Sequence, residues 1–130
     1  MINKGILKEC CKEGFTEEEF YAAYKIFFGT LVSEPRLKII NLLRNGKKNV
    51  SEIIGALEMD QTEASHNLAR LKRCGFVKSE VNGKYRYYQI NEETIKPIME
   101  TIEKHMSQYC IHILKAMREM GKIKGGKENG

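Results

Sequence analysis

The residues of this sequence best suited to chemistry are five hydrogen-bonding side chains close together in the chain, Gln61, Thr62, Ser65, His66 and Arg70. Their spacing places them on one side of a helix with 3.6 residues per turn. When the start of such a helix enters the major groove of DNA, side chains of these types can hydrogen-bond to base edges or to phosphate oxygens. The same spacing also fits an ordinary amphipathic helix with a solvated polar side, so the neighbouring elements must be considered.

The opposite side of this helix is apolar, and another predicted helix with an apolar side precedes it in the chain. Both helices have apolar residues at helical spacing, which are Val50, Ile53, Ile54 and Leu57 in the first and Ala64, Leu68 and Leu71 in the second. Asp60 lies where an N-cap belongs, since its carboxylate can accept from the free amides of the first turn. The stretch from Val50 to Gly75 therefore predicts two helices joined by a tight turn, a helix-turn-helix.

A β-hairpin is predicted directly after this stretch. The segments 76–81 and 85–90 are rich in β-branched and aromatic residues, and they flank Asn82-Gly83, a strong signal for a two-residue type I′ turn. Lys84 and Arg86 lie at the tip, where basic side chains suit phosphates or the minor groove. The sequence therefore predicts that this hairpin forms a wing beside the second helix.

Two helices are predicted before the helix-turn-helix. Thr16 and Glu19 form a capping-box pattern, which opens a helix over residues 16–32. Ser33 is the N-cap of the next helix, and Pro35 lies in its first turn, where a missing N–H is tolerated. These helices supply the support on which the helix-turn-helix packs.

A long apolar stripe follows the hairpin. It continues at helical spacing for about seven turns and consists of Ile95, Ile98, Met99, Ile102, Met106, Tyr109, Ile113 and Met117. A chain this small has little core left to cover such a stripe, so we expect the same helix of a second subunit to cover it. The stripe therefore predicts a homodimer.

The charge balance favours an anionic partner. The 130 residues include 22 Lys and Arg against 17 Asp and Glu, a formal net charge of +5. The segments 36–49 and 70–78 contain several basic residues and no acidic ones, and they flank the predicted helix-turn-helix. We therefore expect double-stranded DNA to meet the middle of the chain.

Length and hydropathy favour one compact domain outside the membrane. We divide the chain into an N-terminal extension (1–15), a DNA-binding and dimerisation domain (16–120) and a disordered tail (121–130). No segment approaches 18 uninterrupted apolar residues and no secretory signal is visible, so we expect a cytoplasmic protein with no membrane partner. The four cysteines are too few for a disulfide scaffold and are expected to be mostly reduced.

The sequence carries no motif of an enzyme. GxGxxG, a P-loop and HExxH are all absent, and there are only three histidines. We therefore expect no catalytic activity. The remaining rival is a winged-helix module that uses its polar side for protein contacts without binding DNA.

Three segments together resemble the ArsR/SmtB family of dimeric winged-helix repressors. They are LVSEPRLKIINLL, DQTEASHNLARLKRCGFV and VNGKYRYYQI, and the resemblance spans residues 20–110. It implies a mainly α fold with a small β-hairpin (α+β), dimeric through its terminal helices. It also implies a sequence-specific DNA-binding repressor released by a metal, metalloid or redox signal. Glu63 departs from the small hydroxyl or apolar residue usual in the family's recognition helix. Its charge repels phosphate unless it accepts from a cytosine amino group or pairs with a neighbour.

The metal sites that the resemblance implies are incomplete here. The Cys-x-Cys of the family's thiolate site falls on Asn49, Val50 and Ser51. The site on its last helix falls on Glu92, Thr94, His105 and Gln108, which offers two plausible ligands out of four. We therefore predict no zinc shell at either place, and we expect His105 and His112 to be solvated.

The remaining candidate effector groups are thiols. Cys10 and Cys11 are adjacent and, with Cys74 or Cys110, resemble the N-terminal cysteine sites that bind thiophilic metals or metalloids in some family members. A redox switch or inert thiols are the alternatives, and Cys110 in the apolar stripe is most simply a buried small hydrophobe. The candidate cofactor is therefore a thiophilic metal or metalloid.

Overall fold

The computed structural model describes residues 4–121, apart from the side chains of Lys4, Leu7, Cys10 and Cys11. Seven helices and three strands follow one another in the order α1 (Lys4–Lys12), α2 (Glu17–Leu31), α3 (Glu34–Leu43), β1 (Lys48–Asn49), α4 (Val50–Leu57), α5 (Gln61–Arg73), β2 (Val77–Asn82), β3 (Tyr85–Ile90), α6 (Ile95–Gln108) and α7 (Cys110–Glu119) within this part of the chain. They form two compact units, Met1–Asn91 and Glu92–Gly130. The predicted mainly α fold with a small β-hairpin is confirmed.

Side-chain caps start the helices where the sequence predicts them. The hydroxyl of Thr16 accepts from the N–H of Glu19 at 3.1 Å, and Glu19 accepts from the N–H of Thr16 at 3.0 Å. The Ser33 hydroxyl caps α3, and the Asp60 carboxylate accepts from the N–H of Glu63 at 2.7 Å at the start of α5. These bonds satisfy first-turn amides that have no partner within the helix.

A short strand that the sequence analysis did not predict joins the hairpin. β1 pairs antiparallel with β3, with Lys48 opposite Tyr88 and Asn49 opposite Tyr87, so the strand order is β1-β3-β2. Asn49 also caps α4, since its side chain accepts from the N–H of Glu52 at 2.8 Å. The start of α4 is therefore fixed to the base of the wing.

The turn of the wing differs by one residue from the predicted turn. β2 and β3 pair from Val77 opposite Ile90 to Asn82 opposite Tyr85, which leaves Gly83 and Lys84 as the two-residue loop. Gly83 has φ +67°, and neither Asn82 nor Lys84 has a positive φ. A positive φ at the first central residue alone is typical of a type II′ turn, so the predicted type I′ turn with Asn82 at its centre is wrong.

The core of the first unit lies among α3, α4, α5 and the hairpin. Phe76 is the largest fully buried side chain, and its ring stacks on that of Phe27 in α2 with 5.2 Å between centroids. The other buried apolar side chains of this unit are Ile39, Ile40, Leu43, Ile53, Met59, Ala64, Leu68, Leu71, Val77 and Ile90. Because α5 contributes Ala64, Leu68 and Leu71 to this core, its other side faces outward, as its periodicity predicts.

The second unit contains two helices where the apolar stripe predicts one. The helix breaks at Tyr109, which has φ −129° and ψ −59°. Periodicity reports which side chains share a face, and it carries no information on whether the backbone ladder continues. Three residues around the break are modest helix formers, Ser107, Tyr109 and Cys110.

The two ends of the chain differ in how much of them the structure describes. The N-terminal extension contains α1, and Gly14 follows it with φ +88°. The tail predicted to be disordered lies outside the described residues after Gly121. None of the helices between residues 4 and 121 is long and apolar enough to cross a membrane.

Candidate nucleic-acid interface

Four of the predicted contact residues lie together at the start of α5. Gln61, Thr62, Ser65 and His66 are all exposed and line one shallow polar depression. The helix presents them beside its N-terminus, where the macrodipole favours an anion. This surface can therefore offer uncharged hydrogen-bonding groups to bases and a favourable field to phosphates.

Arg70, the fifth predicted residue of α5, lies apart from these four. Its side chain is half-buried, and a methyl carbon placed at Gly29 of α2 would lie 3.9 Å from its Nη2. The guanidinium therefore lies beside α2. The sequence of α5 alone does not indicate this approach.

The two basic residues of the wing are exposed and differ in their surroundings. Lys84 occupies the two-residue loop, at the end of the hairpin. Arg86 lies opposite Val81, and its Nη1 donates to the hydroxyl of Ser79 at 3.2 Å. This bond holds the guanidinium beside β2, whereas Lys84 lies in the loop that ends the hairpin.

A charged contact at the base of the wing was not found from the sequence. Lys47 forms an ion pair with Glu80 at 3.0 Å and lies 5.6 Å from the centre of the Tyr87 ring. Both charged side chains are about half exposed, so the pair adds little stability. The pair does neutralise the charge of Lys47, so the basic segment 36–49 offers one positive charge fewer to an anionic partner than its sequence indicates.

Arg36 belongs to the same basic segment, and its guanidinium group donates hydrogen bonds to other groups of the protein. Its Nε donates to the carbonyl of Thr30 at 2.8 Å, its Nη2 to the carbonyl of Gly29 at 3.2 Å, and its Nη1 to Oδ1 of Asn67 at 3.2 Å. Asn67 is buried, with 8% of its surface exposed. A signal was present in the sequence, because Asn67 occupies the i+3 position of the apolar series 64, 68, 71.

The described thiols lie in different surroundings. Cys74 is half-buried at the end of α5, 3.5 Å from the hydroxyl of the fully buried Thr30. Cys110 is half-buried at the start of α7. The side chains of Cys10 and Cys11 lie outside the described part of the structure. Among the side chains that are described, no group of three or more His, Cys, Asp or Glu is arranged to hold a metal ion.

The second unit carries an exposed apolar surface. A groove runs along α6 into α7 and is lined by Pro97, Ile98, Thr101, Ile102, His105, Met106 and Cys110. Met106 is 46% exposed and Ile113, further along the stripe, is 60% exposed. Apolar side chains this exposed in one region are typical of a surface that another molecule covers.

Comparison with known proteins places the chain in a family. The sequence pattern described as "Bacterial regulatory protein, arsR family" matches residues 33–79, from the start of α3 into β2. An uncharacterized HTH-type transcriptional regulator of Methanocaldococcus jannaschii is 35% identical over 89 residues, which is 66% of this chain and 97% of that protein. The arsenical resistance operon repressor of Bacillus subtilis is 27% identical over 85 residues, covering 65% of this chain and 81% of that protein.

The fold is also similar to that of solved structures. One of them is the homodimeric winged helix-turn-helix DNA-binding domain of a possible ArsR-family transcriptional regulator from Mycobacterium bovis. The TM-score is 0.67 at 27% identity, with 72% of this chain and 86% of the other covered. The similarity therefore extends beyond the residues that the family pattern matches.

Proposed function

We propose, from the premise that this chain belongs to the arsR family of bacterial regulatory proteins, that it is a homodimeric repressor reading operator DNA through α5 and the wing. The chain is a DNA-binding transcriptional regulator rather than an enzyme. The observation that carries the assignment of the reading surface is the exposed group of Gln61, Thr62, Ser65 and His66 at the N-terminal end of α5.

The proposed division of roles follows from side-chain chemistry. Gln61 and Ser65 are suited to hydrogen bonds with base edges, which carry sequence information. Lys84 and Arg86 on the wing, together with Arg70, are suited to phosphates, which supply affinity without sequence preference. Glu63, in the first turn of α5, is exposed and fits an approach to a cytosine amino group rather than to a phosphate.

The homodimer is proposed on two grounds. The apolar groove of α6 and α7 needs a cover, and a second copy of the same surface supplies one of matching polarity. The Mycobacterium bovis domain with the similar fold is described as homodimeric. Two copies of α5 related by a twofold axis then meet half-sites about one DNA turn, or ~34 Å, apart.

The signal that releases DNA is proposed to act on thiols. The Bacillus subtilis relative is named as an arsenical resistance operon repressor, and soft thiolates suit trivalent arsenic. Cys10 and Cys11 are the candidate ligands in α1, with Cys110 as a candidate third thiol. Oxidation of the same thiols is the alternative signal. A cytoplasmic location is proposed with this function, because the regulator must reach chromosomal DNA.

A titration with DNA tests the proposed function. A duplex selected by the wild-type protein from a random library is compared with a scrambled duplex of the same length, at several salt concentrations. Ser65→Ala should lower the preference for the selected duplex by ~1–3 kcal/mol, whereas the matched control Ser107→Ala in α6 should not change it. Binding that is insensitive to salt would favour a protein-interaction module, since phosphate contacts release counterions.

The same titration, repeated with arsenite and with peroxide, tests the signal. A loss of affinity in the wild type that is absent in Cys10→Ser/Cys11→Ser assigns the thiols as the sensor, and the effective reagent separates ligation from oxidation. An identical response in the double variant would remove these two thiols from the proposal. Cys110→Ser then tests the remaining candidate.

A further inference from the structure

Arg36 connects three helices of the first unit through one guanidinium group. It lies on α3, donates to the carbonyls of Gly29 and Thr30 in α2, and donates to the side chain of Asn67 in α5. The partners are 6, 7 and 31 residues away in sequence. Asn67 is buried beside fully buried Leu68, so its amide oxygen depends on this donor.

The chemistry of the contact requires arginine. Gly29 and Thr30 lie in the last turn of α2, where carbonyls lack partners within the helix and the macrodipole is negative. The planar guanidinium offers several N–H groups in fixed directions, so it can bond to two carbonyls and an amide oxygen at once. The ammonium group of a lysine is a compact point charge and cannot reproduce this fork.

The contact with Asn67 lies directly behind the residues that face DNA in the proposed function. Asn67 follows Ser65 by two residues, which is about 200° around a helix with 3.6 residues per turn. The apolar contacts of Ala64, Leu68 and Leu71 are close-packed but not directional, so they oppose a rotation of α5 about its axis without a directional bond. A hydrogen bond at the back of the helix is directional and opposes such a rotation.

We infer that Arg36, acting through Asn67, is a positioning residue that fixes the rotation of α5 against α2 and thereby the sequence preference of DNA binding. This inference rests on the proposed function, because it assumes that the outer side of α5 reads bases. It assigns Arg36 no contact with DNA. The bonds to Gly29 and Thr30 hold the guanidinium in place, and the bond to Asn67 transmits that position to the reading surface.

The test measures the ratio of affinities for a selected and a scrambled duplex, using the full chain. Arg36→Lys keeps the charge and loses the fork, and Asn67→Leu keeps the volume and loses the acceptor. Both should lower the ratio by about tenfold, the effect of losing one base contact, while the salt dependence of scrambled-duplex binding stays unchanged. Asn67→Asp keeps an oxygen for Arg36 and should retain the wild-type ratio, even though its charge weakens binding to both duplexes.

Arg44→Lys is the matched control, because Arg44 lies at the end of the same helix and donates to Asn41 three residues earlier. It should leave the ratio unchanged. An unchanged ratio in Arg36→Lys and Asn67→Leu would overturn the inference, as would an equal loss of affinity for both duplexes in proportion to unfolded protein. If Arg36→Lys does not fold, the two Asn67 variants decide. A wild-type protein without sequence preference would overturn the proposed function itself.

Discussion

Some polar and basic residues of this protein hold elements together, and others are exposed for binding. The residue type alone does not show which role a residue has. Arg36 and Arg86 are both arginines inside predicted elements, yet Arg36 holds helices together while Arg86 lies exposed on the wing. Asn67 and Ser65 are both small polar residues of α5, and Asn67 is buried while Ser65 is exposed. The difference lies in position around the helix rather than in chemistry.

The backbone conformation of Glu58 destabilises the folded protein, and a substitution should reduce this destabilisation. It has φ +55° and ψ +39° at the end of α4, a left-handed conformation that costs a residue with a Cβ ~1–2 kcal/mol. Its side chain is exposed, and asparagine tolerates this conformation better. Glu58→Asn should therefore raise the free energy of unfolding by ~0.5–1 kcal/mol, measured by urea denaturation.

The control for this prediction is Glu52→Gln in the same helix, which keeps an oxygen for the N–H of Asn49 and leaves the left-handed residue unchanged. It should change stability much less. A lower stability of Glu58→Asn would mean that the carboxylate of Glu58 contributes more than its backbone costs.

At the scale of elements, turns and caps connect the DNA-facing parts to their support. β1 joins the base of the wing to α4, and the Asp60 cap sets the first residue of α5. The wing itself is a two-stranded projection beyond this base, so its register depends on its turn. The conformation of Gly83 is therefore the local feature on which the position of Lys84 depends.

Two glycine substitutions should have opposite effects for this reason. Gly83 has φ +67°, so Gly83→Ala should cost ~1–2 kcal/mol and disturb the wing. Gly55 lies inside α4 with no positive φ and nothing within 4 Å of an added methyl carbon, so Gly55→Ala should stabilise by ~0.5–1 kcal/mol. Thermal unfolding of the two variants beside the wild type measures both effects. Equal effects of the two substitutions would contradict the difference in backbone conformation.

At the scale of the whole molecule, the main feature is the exposed apolar surface of α6 and α7, because the described chain does not cover it. The break at Tyr109 divides the stripe, and three large apolar side chains of α7 are exposed: Ile111, Ile113 and Leu114. The family pattern ends before these helices, at residue 79, so it says nothing about them. Their role in assembly follows from exposure and polarity.

Ile102→Glu should convert the proposed homodimer to a monomer or to insoluble protein. Ile102 lines the groove of α6, and a carboxylate there would have to be desolvated when a second copy covers it. Light scattering measures the mass. Ser107→Glu places the same charge on the same helix outside the groove and should leave the mass unchanged. A soluble, folded dimer of Ile102→Glu would exclude this groove as the interface.

The sequence by itself determined the features that depend on neighbouring residues. The caps at Thr16, Ser33 and Asp60 each join groups three residues apart, so their residue types suffice to predict them. The outward side of α5 also followed from periodicity, because three core positions define the opposite face. The family resemblance rested on the same local patterns, and the comparisons confirmed it.

Only the tertiary structure decided the contacts between residues distant in the chain. Arg36 meets Asn67 across 31 residues, and Lys47 meets Glu80 across 33. These pairs depend on the angles at which helices and strands pack, which local sequence does not encode. The shifted wing turn belongs here as well, because turn propensity leaves alternatives of similar energy among which strand pairing selects.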